Sequence, residues 1–194
     1  MPGTARRSSS AETCTDSLGS LTRRELLVSG AAALAAAALL PGALQAHEGH
    51  DHFDLSEAAK IGLAKGKLVY VSPLKQDGSE SRCHGEVWYF FDAGAVVIAT
   101  ATKGWKVRSV MKGSAKARIW VGDFGSYSGA KEKLASAPTF LTRAEVDRDP
   151  GTFERLLEAY GNKYPEEWGK WKPRFQSSHA DGSRTVIRYT PIEA

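Results

Sequence analysis

Cysteine is scarce in this sequence, with two among 194 residues, Cys14 and Cys83. A small scaffold held together by several disulfides is therefore excluded, because such folds need many more cross-links. Cys14 lies in a leader whose composition is typical of a removed signal, so Cys83 is the one cysteine expected in the mature chain. A single cysteine predicts no internal disulfide, even in an oxidising compartment.

A long apolar run is missing as well. The most hydrophobic stretch, residues 26–40, carries no charge and is rich in alanine. As a helix of about fifteen residues it would rise only about 22 Å, which is less than the roughly 30 Å of a hydrocarbon core. The sequence therefore predicts no permanent membrane anchor.

The same run has the surroundings of an export signal. Arg23 and Arg24 precede it, and small residues at 41–46 follow it. A charged front, a short apolar middle and a small-residue end are the three parts of a cleavable signal. The arginine pair, with Thr22 before it and leucines after it, resembles the motif that the twin-arginine translocase recognises.

These features predict that residues 1–46 are a twin-arginine signal peptide and that the mature protein is periplasmic or secreted. The translocase is then a partner during export. A membrane anchor or a buried alanine helix is the alternative interpretation. The mature part divides into a His-rich leader with a short helix, residues 47–62, and one domain, residues 63–194.

Several chemical signatures are also absent. The net charge is only +4, and no block of basic residues alternates with aromatic ones, so nucleic acid is not expected as a partner. There is no Ser-His-Asp order, no recognisable pair of cleft carboxylates and no phosphate-cradling glycine loop. The catalytic residues, if there are any, stay unknown at this point.

Short β-like runs dominate the mature chain and are separated by tight turns such as Asp77-Gly78. A helix is predicted from Pro150, capped by Asp149 and ended by Gly161. This pattern favours a mainly β protein, a small barrel of about six strands with one or two short helices. The predicted strands are residues 67–72, 84–91, 95–102, 115–121, 138–146 and 183–190.

Hydroxyl and basic side chains cluster after the most apolar of these strands. Thr100 and Thr102 end the strand, and Lys103, Gly104 and Lys106 follow in a turn that leads into a short helix. Anions bind well where a turn frees backbone N–H groups and ammonium groups add positive charge. A solvated strand end that happens to carry lysines explains the cluster about as well.

The order of these motifs resembles the FMN-binding split β-barrel family, typified by pyridoxamine 5′-phosphate oxidase and the deazaflavin-dependent reductases. The shared order is KLVYVS, an Asp-Gly hairpin, Arg82, the strand with Trp88, VVIATAT and then KGWKVR. AKARIWVG and the terminal TVIRYTP also fit, so the resemblance spans residues 63–191. It implies a Greek-key-like split barrel, normally a homodimer with the cofactor between subunits.

The resemblance also implies roles for single residues. Lys106 and Arg82 would contact the flavin phosphate, with the two threonines near it, and the strand backbone at 85–87 would run along the isoalloxazine ring. The cofactor-binding residues implied in this way are Arg82, Gly85, Glu86, Val87, Thr100, Thr102, Lys103 and Lys106.

The function implied is that of an exported FMN-binding protein, an oxidoreductase of the pyridoxamine 5′-phosphate oxidase-like type acting on an unknown small molecule. Deazaflavin and haem are the alternative cofactors. Two departures bear on the cofactor: Gly113-Ser114 stands where the family usually has Asn-Pro, and Trp105 is bulkier than the usual residue beside the phosphate.

A second functional hypothesis comes from the histidines of the leader. His47, His50 and His52, with Glu48 and Asp51, form a compact set of metal ligands. The rival class is therefore a non-enzymatic haem- or metal-binding split barrel of the periplasm. A solvated N-terminus that picks up metal only incidentally is the simpler interpretation of the same residues.

Overall fold

The computed structural model describes residues 53–113 and 115–193. Within them, seven strands and five helices follow each other along the chain. The strands are β1 Val69–Pro73, β2 Gly85–Val87, β3 Phe90–Asp92, β4 Ala95–Ala101, β5 Lys116–Val121, β6 Thr139–Asp147 and β7 Arg184–Ile192. The helices are α1 Glu57–Lys65, α2 Trp105–Met111, α3 Tyr127–Leu134, α4 Pro150–Lys163 and α5 Pro165–Ala180.

The strands form one antiparallel sheet in the order β2-β1-β5-β6-β7-β4-β3. Strands β2 and β3 lie at its opposite edges, although only Trp88 and Tyr89 separate them in the chain. Two residues span less than about 15 Å, whereas seven flat strands would be nearly twice as wide. The sheet must therefore curl until its edges approach each other, which makes it a split barrel.

Two tight turns fix the register of this sheet. Gly78 (φ +80°) follows Asp77 in the β1–β2 connection, and the Asp77 carboxylate accepts hydrogen bonds from the amide and the hydroxyl of Ser79. In the β3–β4 hairpin, Ala93 and Gly94 both have positive φ, 48° and 79°. Such a two-residue turn matches the twist of paired strands, so β3 and β4 can pair directly.

The interior of the barrel is one apolar cluster. It receives alternate residues of the strands, because successive side chains of a strand point to opposite faces. Helix α1 contributes Ala59 and Leu63, and α2 contributes Val107. The buried strand residues of this cluster are Val69, Val71, Val96, Ile98, Ala117, Ile119, Val121, Phe140, Ala144, Ile187 and Tyr189.

Helices cover the outer faces of the sheet. Helix α3 packs Ala130 and Leu134 against Tyr70 and Trp120 of β1 and β5. Helices α4 and α5 pack over β4 and β7 through an aromatic cluster with Trp88 at its centre. The Trp88 ring is stacked on Tyr164 at a centroid distance of 4.2 Å. Because both faces are covered, strand β4 is apolar along almost its whole length.

The predicted fold class is confirmed, and the count of helices is higher than predicted. Helices α3 and α5 fall in segments for which the sequence pattern predicts no element. Helix α4 begins at Pro150 with the Asp149 cap, as predicted, but it continues past Gly161 to Lys163. The predicted strand over residues 84–91 is divided at Trp88 and Tyr89, where the chain crosses from one sheet edge to the other.

Cys83 is buried just before β2, with 7% of its surface exposed. The expectation that it makes no internal disulfide depends on the loss of Cys14, which lies outside the described residues, so it stays a prediction. Among the helices of residues 53–113 and 115–193, none is long and apolar enough to cross a membrane. The predicted signal at 1–46 and the leader histidines His47, His50 and His52 lie outside the described residues.

Candidate functional site

The end of strand β4 is fixed against the start of β7. The Thr102 amide donates a hydrogen bond to the Ser183 carbonyl (2.9 Å), and the Thr102 hydroxyl donates one to the Gly182 carbonyl (2.7 Å). The chain then turns sharply, because the Gly104 amide donates to the Ala101 carbonyl at 2.8 Å. A Cβ on Gly104 would lie 2.8 Å from that same oxygen, so only glycine fits this turn.

Lys106 follows this turn in the first turn of α2. Its side chain is half-buried, and its Nζ lies 4.1 Å from the centroid of the Trp105 ring. Burial lowers the pKa of Lys106 to about 8, and the negative charge of Glu86 opposes that shift only weakly. Among the described residues, the ammonium has neither an ion pair nor a hydrogen bond. It is a desolvated cation whose only described attractive contacts are an aromatic face and a distant carboxylate.

Strand β2 forms the other side of the candidate site. A Cβ on Gly85 would lie 3.9 Å from Cζ2 of Trp105, so the indole faces this glycine across the site. The carboxylate of Glu86 accepts a hydrogen bond from the Tyr127 amide at the start of α3 (Oε2–N 3.0 Å). The structure therefore brings Lys106 close to Gly85 and Glu86, although about twenty residues separate Lys106 from this pair in the sequence.

The remaining predicted residues lie less centrally. Thr100 is half-buried and pairs with Thr185 in the sheet. Arg82 and Lys103 are exposed, and their side chains make no hydrogen bond or ion pair among the described residues. The Lys103 carbonyl accepts a hydrogen bond from the Arg108 guanidinium. Because the Thr102 hydroxyl already donates to Gly182, it is not available as a donor to an anion.

Two contacts of this site could not be read from the sequence. One is the Trp105 indole lying against Gly85, although a tryptophan directly after the helix-starting Gly104 was a visible signal. The other is the hydrogen bond between Glu86 and α3, which has no sequence signal because α3 itself was not predicted.

The residues fit the phosphate end of a flavin nucleotide. Lys106 supplies a cation that makes no ion pair or hydrogen bond among the described residues, and Gly85 of β2 lies against the neighbouring Trp105 indole. Strand β2 is an edge strand that pairs only with β1, so the backbone of its other side is free to face a planar ligand. Two cavities of about 380 and 320 Å³ lie elsewhere, at α4–α5 and at α3–β5. The free edge of β2 leaves the candidate site open on one side.

No family model and no curated protein matches this chain. Solved structures do resemble it. HutZ, the heme storage protein of Vibrio cholerae, is 12% identical with a TM-score of 0.50, covering 73% of this chain and 93% of HutZ. The conserved hypothetical protein Rv2991 of Mycobacterium tuberculosis is 16% identical with a TM-score of 0.49, covering 74% of this chain and 84% of its own.

A Listeria innocua protein assigned as a pyridoxamine 5′-phosphate oxidase is 14% identical with a TM-score of 0.46, covering 71% of this chain and 95% of that one. Identities this low show the fold alone. The fold is a split β-barrel, a curled antiparallel sheet with helices on its outer faces.

Proposed function

We propose that this chain is an exported flavoprotein that binds FMN in its split barrel and acts as an oxidoreductase of the pyridoxamine 5′-phosphate oxidase-like type on a small molecule. The observation that carries the proposal is the half-buried Lys106 ammonium, which makes no ion pair or hydrogen bond within the described residues and follows Trp105, whose indole lies against Gly85 of β2. A buried cation in this condition is costly until an anion joins it.

A phosphate dianion supplies what Lys106 lacks. It pairs with the ammonium through a charge-assisted hydrogen bond, which is stronger than a neutral one. The exposed side chains of Arg82 and Lys103 are free to add charge, since neither has a partner among the described residues. A flavin, when bound, supplies hydride or single-electron transfer at its ring. The chain's own part is to hold the phosphate at Lys106 and to position the ring along residues 85–87.

The open site also supports a homodimer. A flavin that lies on the surface of one chain would stay in water, whereas a second copy would enclose it and complete its contacts. Met111 lies on the same helix as Lys106 and is 70% exposed, which is unusual for a large apolar side chain and supports a partner surface there. We therefore include a second copy of this chain in the proposal.

Haem is the competing cofactor, since HutZ is described as a heme storage protein. The described residues contain two histidines, His84 and His179, and both rings are stacked. His84 lies 3.6 Å from the Tyr127 centroid, and His179 lies 3.7 Å from that of Phe153. Stacking covers the ring faces and leaves the in-plane nitrogens able to ligate iron, so these histidines do not decide between the cofactors. The unpaired Lys106 ammonium is what favours a phosphate-bearing flavin.

An absorption spectrum of the purified protein, followed by an FMN titration, tests the proposal. We expect a flavin spectrum, and we expect Lys106→Ala to weaken FMN binding by about 1–3 kcal/mol, the value of a charged hydrogen bond. Lys112→Ala is the matched control, because Lys112 is exposed at the far end of the same helix. A Soret band, or equal affinity in both variants, would overturn the FMN assignment.

Export needs its own test, because it concerns residues outside the described part of the chain. The proposal predicts that Arg23→Lys combined with Arg24→Lys keeps the full chain in the cytoplasm, since the translocase recognises the arginine pair. Cell fractionation with an antibody against the protein measures the distribution. Unchanged periplasmic or extracellular recovery of the double variant would show that another route exports it.

A further inference from the structure

The outer face of β5 carries a second candidate site, whose lining includes none of the residues assigned to the flavin. Tyr127 links the two sites, because its amide donates a hydrogen bond to Glu86. A cavity of about 320 Å³ lies between α3 and strands β5 and β6. Its wall is partly apolar and partly charged. The lining residues are Glu80, Arg118, Trp120, Tyr127, Lys131, Leu134, Ala135 and Thr139.

The charges of this wall favour an anion. It holds two cations, Arg118 and Lys131, and one carboxylate, Glu80. That carboxylate already faces Arg118, with Nε and Oε1 3.2 Å apart, so it repels an incoming anion less than a free carboxylate would. Among the described residues, no side-chain hydrogen bond is made by Arg118 or Lys131. The guanidinium and the ammonium therefore keep N–H donors available for a ligand.

The Nε atom of Arg118 lacks a hydrogen bond within this wall. It is buried, and it has no hydrogen bond among the described residues despite its closeness to Glu80. Its pairing is electrostatic only. The Arg118 side chain is still 33% exposed, so its outer atoms reach the cavity. An anion that engages those outer N–H groups would improve the solvation of an incompletely satisfied guanidinium.

The floor of the cavity is aromatic and held in place. Trp120 packs with Ala130 and Leu134 and is almost fully buried, with 8% of its surface exposed. Tyr127 is held by the stacked ring of His84 at 3.6 Å and by the hydrogen bond from its own amide to Glu86. Rings fixed in this way bind a flat apolar ligand without losing side-chain freedom.

We propose that this cavity binds a small aromatic carboxylate, with the carboxylate between Arg118 and Lys131 and the ring against Trp120 and Tyr127. The site is distinct from the flavin site, because none of the residues assigned to the flavin lines it. The proposal does not rest on the proposed function, since Arg118 and Lys131, the cations that would hold the carboxylate, have no part in the flavin site.

Ligand-observed NMR titrations of the purified full chain with benzoate test this site. A ligand of this size in a preformed polar cavity is expected to bind with a Kd of about 1 mM. Benzylamine has the same ring and the opposite charge, and we expect it to bind at least about tenfold more weakly. Absence of benzoate binding at about ten times that Kd, or equal binding of both compounds, would overturn the proposal.

Variants then locate the binding. Lys131→Ala and Arg118→Met are each expected to weaken benzoate binding by about tenfold or more, the effect of one lost charged hydrogen bond. Lys133→Ala is the matched control, because Lys133 is also exposed on α3 but does not line the cavity. Lys131 is exposed, so its variant keeps the test valid even where Arg118→Met unfolds.

The outcome also separates the two sites of the protein. Lys106→Ala should leave benzoate binding unchanged, whether or not FMN binds as proposed. Equal weakening by Lys131→Ala and Lys133→Ala would show a diffuse charge effect and contradict a defined site. Weakening by Lys106→Ala alone would move the carboxylate to the flavin site and overturn the inference.

Discussion

Lys106 shows how a single side chain can carry functional information through its surroundings. Lysine is common on protein surfaces, and this chain has many. Lys106 differs because its side chain is half-buried and its ammonium lies over the Trp105 ring. This burial removes water from the ammonium and lowers the pKa of Lys106 to about 8. The exposed Lys112, at the end of the same helix, lacks such surroundings. Burial, not residue type, distinguishes Lys106 from the exposed lysines of this chain.

This pKa makes FMN binding depend on pH. A phosphate dianion binds the charged ammonium, and above about pH 8 the free protein loses that proton. We therefore expect the Kd for FMN to be constant near pH 7 and to rise by up to about tenfold per unit above pH 8, until the pKa of the bound state is reached. Fluorescence titrations of FMN across this pH range measure it.

Lys106→Arg is the control for this pH dependence. An arginine stays charged throughout the range, so the rise in Kd above pH 8 should disappear even if the affinity near pH 7 changes. The same slope in Lys106→Arg and in the unchanged protein would assign the titration to another group.

At the scale of single elements, the close packing of helix α5 on helix α4 depends on Gly161. The sequence pattern predicts that this glycine ends α4. Gly161 lies inside α4, and a Cβ on it would lie 2.8 Å from Nε1 of Trp168 in α5. The missing side chain lets the indole approach the α4 backbone. Trp168 and Tyr160 then join the aromatic cluster around Trp88 at the outer face of β4.

Gly161→Ala is therefore expected to destabilise the protein. Alanine favours a helix by about 1 kcal/mol, but overpacking against Trp168 costs about 1–3 kcal/mol, so the net effect is a loss. Gly169→Ala in α5 is the matched control, because a Cβ there would meet nothing within 4 Å, and it should stabilise by up to about 1 kcal/mol. Urea unfolding measures both. A stabilised Gly161→Ala would show that the indole moves aside freely.

At the scale of the whole molecule, one ionic network ties the β3–β4 hairpin to β6 and β7. Arg188 of β7 pairs with Asp92 (2.8 Å) and with Asp147 (2.9 Å), and its Nη1 also donates to the Asp92 carbonyl. Burial opposes ionisation of Asp92, yet the hydrogen bonds from Arg188 and Arg155 outweigh it, so the pKa of Asp92 is lowered. The network secures the edge strand that closes the barrel.

Removing Arg188 should therefore cost far more than removing an exposed partner. Arg188→Leu leaves two poorly exposed carboxylates without their main cation, and we expect a loss of about 2–4 kcal/mol in the free energy of unfolding. Arg155→Leu should cost much less than Arg188→Leu, because Arg155 is 47% exposed and water screens its ion pairs. Urea unfolding at neutral pH compares them, and equal losses would contradict a special role for Arg188.

The Asp92 contribution has a defined pH dependence. A carboxyl whose pKa is lowered by folding stabilises the protein above its unfolded pKa, near 4, and loses that contribution as the pH falls through the lower folded pKa. Acid unfolding should therefore be shallower in Arg188→Leu, which already lacks the stabilised charge.

Much of this protein was determined by local sequence. Alternating apolar residues, the Asp77-Gly78 turn and the Asp149-Pro150 helix start are short-range signals. They predicted the first hairpin, the start of α4 and the strands, except for the division of residues 84–91 into β2 and β3. The cluster around Lys106 was equally visible, because a strand end, a glycine turn and a lysine are adjacent in the chain.

Only the tertiary structure decided the rest, because the deciding contacts join distant segments. Helix α5 has a weakly apolar sequence with Pro173 inside it, and its aromatic side chains gain their partners only from Trp88 and α4. Gly85 and Lys106 become one site because the sheet curls and brings the edge strand β2 beside α2. The lowered pKa of Lys106 likewise comes from burial, and burial is a property of the packed fold rather than of residue type.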